Sequence, residues 1–424
     1  MLKQLKLERF KNFREAELAL GPLTLLVGTN ASGKSNLRDA FRFLHGVSRG
    51  YTLAEIIGEK WAEGGVLQWK GIRGGTREAA FMQAPTFALE MAFDGAENGQ
   101  PRTLSYRIEV AVGPNGSPPR VKAERLLIEG KGPVFDSHPD SNAPPQTDPL
   151  HLGVRLRKEA QKGWVGPTVN FINERPVLSQ IGEHPDVKLP KVKELVRQAM
   201  SALASMRFLD LSPEAMRLPS LPGQTVLGDR GENLSSVLQA ICEKPELKQA
   251  LVDWVRELTP LDASEFDFPP DQTGRILLTL VEGNGQRTSA YSASDGTLRF
   301  LAMIAALLGT QPARFYFFEE LENGIHPTRL NLLLALIEQK VAQGNIQMVA
   351  TSHSPQLLGF LGAKARESAS LCYRLANQPE ARIRRIMDIP EAARVLTGHD
   401  LARLHASGWL EDAVAFAEDR KTTP

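Results

Sequence analysis

The residues with the clearest chemical signature are eight consecutive positions near the start of the chain, Gly28-Thr29-Asn30-Ala31-Ser32-Gly33-Lys34-Ser35. They fit the pattern GxxxxGK[ST] and lie between an apolar segment and a helical one, as that pattern requires. Glycines let the backbone fold round phosphates, so that its N–H groups and the helix N-terminus point at them. Lys34 would then reach the β- and γ-phosphates, and the Ser35 hydroxyl would bind Mg²⁺. The context favours this over a plain glycine-rich turn.

A second group of residues follows a run of aromatic side chains at positions 315–318. This run predicts a buried strand, and it ends in two adjacent carboxylates, Glu319 and Glu320. Paired acids at a buried strand end are costly because like charges resist desolvation, and a neighbouring metal ion removes that cost. We therefore assign Glu319 to the Mg²⁺ shell, through a water ligand, and Glu320 to orienting the attacking water. The simpler alternative is a solvated acidic turn.

Two further candidates stand at the ends of predicted elements. His353 follows an apolar strand at 346–350 that should lie beside the acidic strand, so we expect it to contact the γ-phosphate. A lone histidine is more often structural. Ser294 precedes an apolar helix at 297–308, where Ser, Asp and Gly also serve as simple N-caps. Its place in the chain, long after Lys34 and shortly before Glu320, favours a functional role.

The strands and helices that must position these residues are predicted to form a mixed α/β protein. Strands are predicted at 2–10, 16–20 and 23–27, and a helix at 34–44. Residues 51–175 read as antiparallel strands with a mobile Pro/Asp/Ser-rich loop at 130–149, and residues 185–265 are mainly helical. The last third alternates strands and helices, ending in two helical stretches. We predict a nucleotide-binding core from 1–50 and 290–424, an inserted β-rich lobe at 51–175 and a helical lobe at 176–289.

Composition restricts the class of protein. The chain has 424 residues, of which 42% are hydrophobic and 23% charged, with a net charge of +1. This is ordinary for a globular protein, and no overall field draws it to nucleic acid or an anionic membrane. The first fifty residues are the most basic, including Lys3, Lys6 and Lys11, and form either a local phosphate-binding surface or a solvated strand edge.

The two cysteines, Cys242 and Cys372, are not in a CxxC pair or near a histidine cluster. They therefore predict neither a metal site nor a disulfide framework. The opening residues alternate apolar and charged side chains, unlike a signal peptide, and no apolar run approaches the ~20 residues that span a bilayer. We expect a cytoplasmic protein with no membrane contact.

The order of these motifs resembles ABC-type P-loop ATPases of the RecF/SMC/OLD-like branch, including compact predicted AAA-type ATPases. The segments that carry the resemblance are LKLERFKNFREAELAL, GTNASGKSNL, RFLDLSPEAMR, SDGTLRFLAMIAALL, FFEELENGIHP, TSHSPQLL and LARLHASGWLEDA. It implies the fold of an ABC-type ATPase head with a mixed β-sheet, and ATP and Mg²⁺ as ligands. The residues implied to bind nucleotide on the loop are Gly28, Asn30, Ala31, Ser32, Gly33, Lys34, Ser35 and Asn36.

The resemblance also assigns residues beyond the loop. Ser294 and Gly296 look like the signature that closes over ATP bound to a second protomer. Glu322, Asn323 and His326 look like the segment that crosses the interface between two protomers. Gln180 is a candidate for the glutamine that senses Mg²⁺, although a surface glutamine is the simpler interpretation.

Three positions depart from the pattern of relatives. Glu319 stands where many have Asp, Asp295 replaces a signature glycine, and Leu321 replaces a proline. These departures argue against a transporter ATPase subunit, the third alternative. The resemblance implies ATP hydrolysis by a homodimer with composite ATP sites, used to engage DNA or to gate a partner nuclease or toxin, in DNA repair or anti-phage defence. The second alternative is a nucleotide-sensing scaffold with negligible turnover that controls a separate nuclease or toxin.

Overall fold

The computed structural model describes residues 1–113, 116–137, 149–157, 166–258, 263–375 and 378–389. Contacts divide the chain into two compact units. The first comprises Met1–Leu20, Gly28–Met206 and Ser370–Arg385, and the second comprises Gly21–Val27, Arg207–Ala369 and Ile386–Pro424. The helical stretches predicted to end the chain lie outside the described residues. The division into a core and two inserted lobes stays a prediction.

The first unit is built on a large sheet, with elements numbered along the chain. Its strands are β1 Leu2–Phe10, β2 Phe13–Ala19, β4 Glu59–Ala62, β5 Val66–Lys70, β6 Thr86–Glu97, β7 Gln100–Ala111, β8 Arg120–Ile128, β9 Gly132–Asp136, β10 His151–Leu156, β11 Thr168–Ile172, β18 Ser370–Arg374 and β19 Ala381–Arg385. Its helices are α1 Lys34–Ser48, α2 Leu53–Ile57, α3 Val177–Ile181 and α4 Pro190–Ala204, with 3₁₀ turns at Gly75–Glu78 and Phe81–Gln83.

The strand order of this sheet is β11-β10-β9-β8-β7-β6-β1-β2-β19-β18, and β4 pairs with β5 separately. Neighbours from β11 to β2 are antiparallel, whereas β19 lies parallel to β2. The antiparallel strands predicted in 51–175 are therefore present, but β6 pairs with β1 and extends the sheet of the opening strands. Residues 132–136 form β9, so the loop predicted at 130–149 was wrong there, and residues 138–148 lie outside the described part.

Alternating side chains cover one face of this sheet, as expected for antiparallel strands with one buried face. In β1 the buried residues are Leu2, Leu5, Leu7 and Phe10, so the alternation is interrupted twice, and in β8 it is regular from Glu124 to Ile128. Helix α1 is amphipathic and packs against α4, and its Leu37, Phe41 and Leu44 are fully buried. His45, on the same helix, bonds through Nδ1 to the Leu203 carbonyl at 2.9 Å. This packing fixes the direction of α1, whose first residue is Lys34.

The second unit contains a small, mostly parallel sheet and the remaining helices. Its strands are β3 Leu23–Val27, β12 Met206–Leu209, β13 Ala263–Asp267, β14 Thr279–Glu282, β15 Arg287–Ser289, β16 Phe315–Phe318 and β17 Gln347–Ser352. Its helices are α5 Pro213–Met216, α6 Leu234–Cys242, α7 Pro245–Leu258, α8 Asp295–Leu308, α9 Pro327–Ala342, α10 Pro355–Phe360 and α11 Ala363–Glu367, with a 3₁₀ turn at Ile386–Asp388.

Three neighbouring strands of this unit run parallel in the order β3-β17-β16, with β12 beyond β16. All residues of these three strands are buried, which explains their mainly apolar sequences. Because the strands are parallel, their carboxyl ends share one edge, and the residues after β16 and β17 meet there. The alternation predicted for the last third is confirmed. Strands β13, β14 and β15 form a separate antiparallel sheet.

Candidate functional site

The loop between β3 and α1 has a backbone that only glycine accommodates at two positions. Gly28 has φ of 149°, and a Cβ atom there would lie 2.1 Å from the Cys372 carbonyl oxygen. Gly33 has φ of 111°, and a Cβ atom there would lie 2.7 Å from the Phe13 ring. Both values fall in the left-handed region that favours glycine. The first and last glycines of GxxxxG are thus required by the backbone of the loop.

The side chain of Lys34, the first residue of α1, lies inside this loop. It is buried, and Nζ donates to the carbonyl oxygens of Gly28, at 2.5 Å, and Thr29, at 2.9 Å. Ser32 is 2% exposed, and its Oγ has no hydrogen-bond partner among the described residues. Buried hydroxyls are normally bonded, so this one is available to a ligand. Residues 29–32, with Arg374 and Gln378, line a cavity of about 480 Å³.

The start of α1 is held by residues that sequence reasoning did not select. Asn36 Nδ2 donates to Asn12 Oδ1 at 2.7 Å, and Arg73 donates to Asn36 Oδ1 at 3.3 Å and to the buried Asp39 at 3.1 Å. Lys11 Nζ lies 3.8 Å from the same Asp39 carboxylate. Burial lowers the pKa of Lys11, and Asp39 partly opposes that shift. Because Asn12 lies in the turn between β1 and β2, its hydrogen bond with Asn36 fixes the loop to that turn. Nothing in the local sequence signals this contact.

In the second unit, the structure brings Glu320 and His353 together at the shared strand edge. His353 Nε2 lies 3.9 Å from Glu320 Oε1. The Glu320 N–H donates to Thr351 Oγ1 at 3.0 Å, and Asn323 Nδ2 donates to Glu320 Oε2 at 3.1 Å. Glu320 has φ of 50°, a left-handed backbone that is strained for a residue with a side chain and is often found at functional sites. Glu319 directly follows β16 and is half-buried.

The segment after Glu320 is anchored within its own chain. Glu322 Oε1 accepts the N–H groups of His353, at 2.7 Å, and Ser354, at 3.1 Å. Its carboxylate therefore holds the backbone beside the histidine. The resemblance implied a role for Glu322 across a protomer interface, but the structure gives it this contact in the same chain. Asn323 and His326 are exposed.

Ser294 caps α8, as the simpler interpretation expected. Its Oγ accepts the Thr297 N–H at 3.1 Å and lies 2.9 Å from Thr297 Oγ1. The next glycine has a packing role, since a Cβ atom on Gly296 would lie 2.0 Å from the Gly324 carbonyl oxygen. We call residues 293–296 the signature turn. The signature turn packs against the segment that follows Glu320, and its action on a nucleotide stays a prediction.

The side chain of Gln180 is hydrogen-bonded to the backbone just before α3. Its Nε2 donates to the carbonyl oxygens of Ile172, at 2.9 Å, and Arg175, at 3.0 Å, while Oε1 accepts the Ile172 N–H at 3.2 Å. The buried Glu124 accepts the first N–H groups of α3, on which Gln180 lies, and burial raises the pKa of this carboxyl to about 7. Gln180 would have to break these bonds to sense Mg²⁺, and that role stays a prediction.

The lysines of the opening strands have acidic partners. Lys3 lies 2.8 Å from Asp94, and Lys6 lies 3.9 Å from Glu17. Together with the pairing of Lys11 described above, these contacts place a carboxylate beside each of the three lysines. The solvated interpretation of the basic opening is the one that these contacts favour.

Two features are absent from the residues that the structure describes. No helix there is both long and apolar enough to cross a bilayer. No group of three or more His, Cys, Asp or Glu side chains there is arranged to hold a metal ion.

Comparison with known proteins decides the family. The sequence profile described as "AAA domain, putative AbiEii toxin, Type IV TA system" matches residues 23–359, which includes the loop, both glutamates and His353. The chain belongs to this family. The protein is accordingly a P-loop ATPase, and the predicted resemblance to ABC-type P-loop ATPases is confirmed at the level of this family.

Individual relatives of this AAA-domain protein are distant. An "ATP/GTP phosphatase" of Helicobacter pylori is 20% identical over 374 residues, covering 87% of this chain and 89% of the relative. The "DNA replication and repair protein RecF" of Chlamydia abortus is 30% identical over 106 residues, 25% of this chain and 23% of the relative. The solved SMC head domain from Thermotoga maritima has a TM-score of 0.40 and 13% identity, covering 91% of this chain and 98% of that one.

Proposed function

We propose that this ATPase binds ATP with Mg²⁺, dimerises around it with composite sites, and uses hydrolysis to control a partner effector protein. The observation that carries the proposal is the pairing of Glu320 with His353 at 3.9 Å, at the carboxyl ends of two parallel strands. A carboxylate and an imidazole at that edge suit the two tasks of hydrolysis, orienting a water and contacting the γ-phosphate.

The loop at residues 28–35 supplies the phosphate contacts in this proposal. Lys34, which donates to two loop carbonyls, would turn to the β- and γ-phosphates, and the unpartnered Ser32 hydroxyl would donate to a phosphate oxygen. The peptide bond from Val27 to Gly28 joins this loop to β3, the parallel neighbour of β17.

The residues present fit Mg²⁺. Ser35 offers a hydroxyl and Glu319 a carboxylate, and oxygen donors of these kinds are the ligands that Mg²⁺ takes. Magnesium in nucleotide sites uses one or two protein ligands together with phosphates and water, so a larger cluster of acids is not needed. Ser35 and Glu319 would hold the ion, which when bound neutralises charge on the phosphates. Glu320 would orient the attacking water and accept its proton.

Dimerisation is proposed from the signature turn, which carries the Ser294 hydroxyl and the N-terminus of α8. Among the described residues, none near Glu320 forms a hydrogen bond with either group. Within one chain, the hydrogen bonds of Ser294 go to Thr297. The 14-residue helix α8 behind it adds a positive end that favours a phosphate. Two protomers in head-to-tail register would each complete the other's site and exclude water from it.

Ser294→Arg tests the composite site. We expect ATP binding to the single protomer to be retained, whereas ATP-driven dimerisation and hydrolysis fall by about 10²-fold or more, as on removal of one positioned electrostatic contact. Sedimentation velocity with and without ATP and a phosphate-release assay would measure these effects. Ser292→Arg, two residues away in the same loop, is the matched control. Normal turnover and dimerisation by Ser294→Arg would contradict the composite site.

The ion pairs of Lys3 and Lys6 make an effector protein the favoured partner and DNA the second. We expect weak retention of duplex DNA at low salt with ATP, unchanged in the double variant Lys3→Glu/Lys6→Glu, measured by fluorescence anisotropy. Lys122→Glu, an exposed lysine paired with Glu109 at 3.0 Å, is the control. Lys11 is left unchanged because a second carboxylate beside buried Asp39 would destabilise the fold. Tight binding that weakens steeply with salt and is abolished in the double variant would instead support a DNA surface.

The biological role of the ATPase is part of the same proposal. The family description names a toxin of a toxin–antitoxin system, and one relative is named for DNA repair, so anti-phage defence is the favoured role and DNA repair the second. A cytoplasmic location is supported by the use of ATP and by the two free thiols, of which Cys372 is buried.

A further inference from the structure

The segment RFLDLSPEAMR, at residues 207–217, links the two functional parts of the second unit. It begins in β12, beside the acidic strand β16, and passes through α5. Helix α5 contacts α8, and Arg217 follows α5 directly. The segment resembles the family but received no role from the sequence. Its last residue, Arg217, reaches the signature turn.

Arg217 makes two contacts there. Its Nη2 donates to the Ala293 carbonyl oxygen at 2.9 Å and to Asp295 Oδ1 at 2.7 Å. The side chain of Arg217 is 25% exposed and that of Asp295 is 62% exposed. One guanidinium therefore contacts the residues on both sides of Ser294, the residue predicted to meet the nucleotide.

Asp295 creates the need for such a partner. It is the first residue of α8, directly after the N-cap Ser294, and it stands where the family resemblance implies a glycine. A carboxylate at a helix N-terminus interacts with the positive end of that helix. It would also repel the negative charge of a triphosphate brought to the same place. An unpaired Asp295 would thus oppose the function proposed for Ser294.

We propose that Arg217 is a positioning residue of the signature turn, balancing the charge of Asp295 and fixing the Ala293 carbonyl so that Ser294 and the N-terminus of α8 can face a phosphate. The opposite side of the turn is closed by the contact of Gly296 with the Gly324 carbonyl oxygen. The turn is thus held from both sides by its own chain. This inference rests on the proposed function of the signature turn.

The test compares four variants in steady-state hydrolysis and ATP titration. Arg217→Ala should lower kcat by about tenfold, the effect expected for the loss of charge-assisted hydrogen bonds, with ATP affinity unchanged. Asp295→Asn alone sets the reference for the double variant, and Arg217→Ala/Asp295→Asn should recover most of the kcat that Arg217→Ala loses, because no unpaired carboxylate remains. Arg230→Ala is the matched control, since Arg230 donates to Ser212 Oγ at 3.1 Å in the same segment.

Rescue by Asp295→Asn separates charge balance from a merely structural contact. If Arg217→Ala has normal kcat, or if the double variant remains as slow as Arg217→Ala, the inference is overturned. Hydrogen exchange at the Thr297 amide, which Ser294 caps, gives a readout without nucleotide, and Arg217→Ala should raise its rate. Unchanged exchange would also count against Arg217. Failure of the proposed function is seen separately, as normal turnover by Ser294→Arg.

Discussion

Replacing Glu320 with Gln should lower kcat for ATP hydrolysis by about 10²-fold or more while ATP still binds, because a positioned general base contributes at least that much. The substitution keeps the shape of the side chain and removes the carboxylate that orients water and accepts its proton. The amide oxygen can still accept the hydrogen bond from Asn323 Nδ2, now 3.1 Å from Glu320 Oε2, so the strained turn should persist. ATP that cannot be hydrolysed should hold two protomers together.

Single-turnover hydrolysis and size-exclusion chromatography with ATP would measure the two effects. Glu319→Gln is the matched control, since it neutralises the adjacent carboxylate and should affect the Mg²⁺ requirement more than the proton transfer. Glu320→Gln protein is expected to elute as a dimer in ATP and as a monomer without it. If Glu320→Gln hydrolyses ATP at the normal rate, the base lies elsewhere and Glu319 becomes the first candidate.

Replacing Lys34 with Ala should weaken ATP binding by several kcal/mol, because each charge-assisted hydrogen bond to a phosphate oxygen contributes roughly 1.5–3 kcal/mol. The ammonium group is the cation placed within the loop, where it donates to the Gly28 and Thr29 carbonyls. In the variant, nothing replaces that charge opposite the β- and γ-phosphates. Isothermal titration with Mg-ATP would measure the decrease in affinity.

The same two carbonyl contacts mean that Lys34→Ala could also loosen the loop, so thermal unfolding without nucleotide must accompany the titration. Lys3→Ala is the control, because it removes an exposed lysine paired with Asp94 in the same unit. An affinity equal to that of wild type, in a folded Lys34→Ala protein, would refute the assignment of residues 28–35 to phosphate binding.

The sequence alone predicted the elements whose pattern is local. The buried strands β3, β16 and β17 largely coincide with the apolar runs predicted at 23–27, 315–318 and 346–350, and α4, α6 and α7 lie within the part predicted to be mainly helical. The loop at 28–35 was predictable because its chemistry requires fixed residue types at fixed spacing.

The structure assigned the helices of 176–289 to different units. Helices α3 and α4 belong to the first unit, and α6 and α7 belong to the second. Hydrophobic periodicity shows which face of a helix is buried but not which element covers it. For the same reason, the sequence could not show that β6 pairs with β1, because strand pairing depends on contacts between distant residues.

Sequence by itself determined that this protein is a P-loop ATPase and named Lys34, Glu320 and His353 as its candidates. Tertiary structure decided what each candidate contacts. It placed His353 beside Glu320, and it gave the Glu322 carboxylate a hydrogen bond from the backbone N–H of His353. It also brought Arg217 within hydrogen-bond distance of the signature turn. Residue type and spacing limit which chemistry a side chain can perform, whereas its partners come from parts of the chain that only folding brings within hydrogen-bond distance.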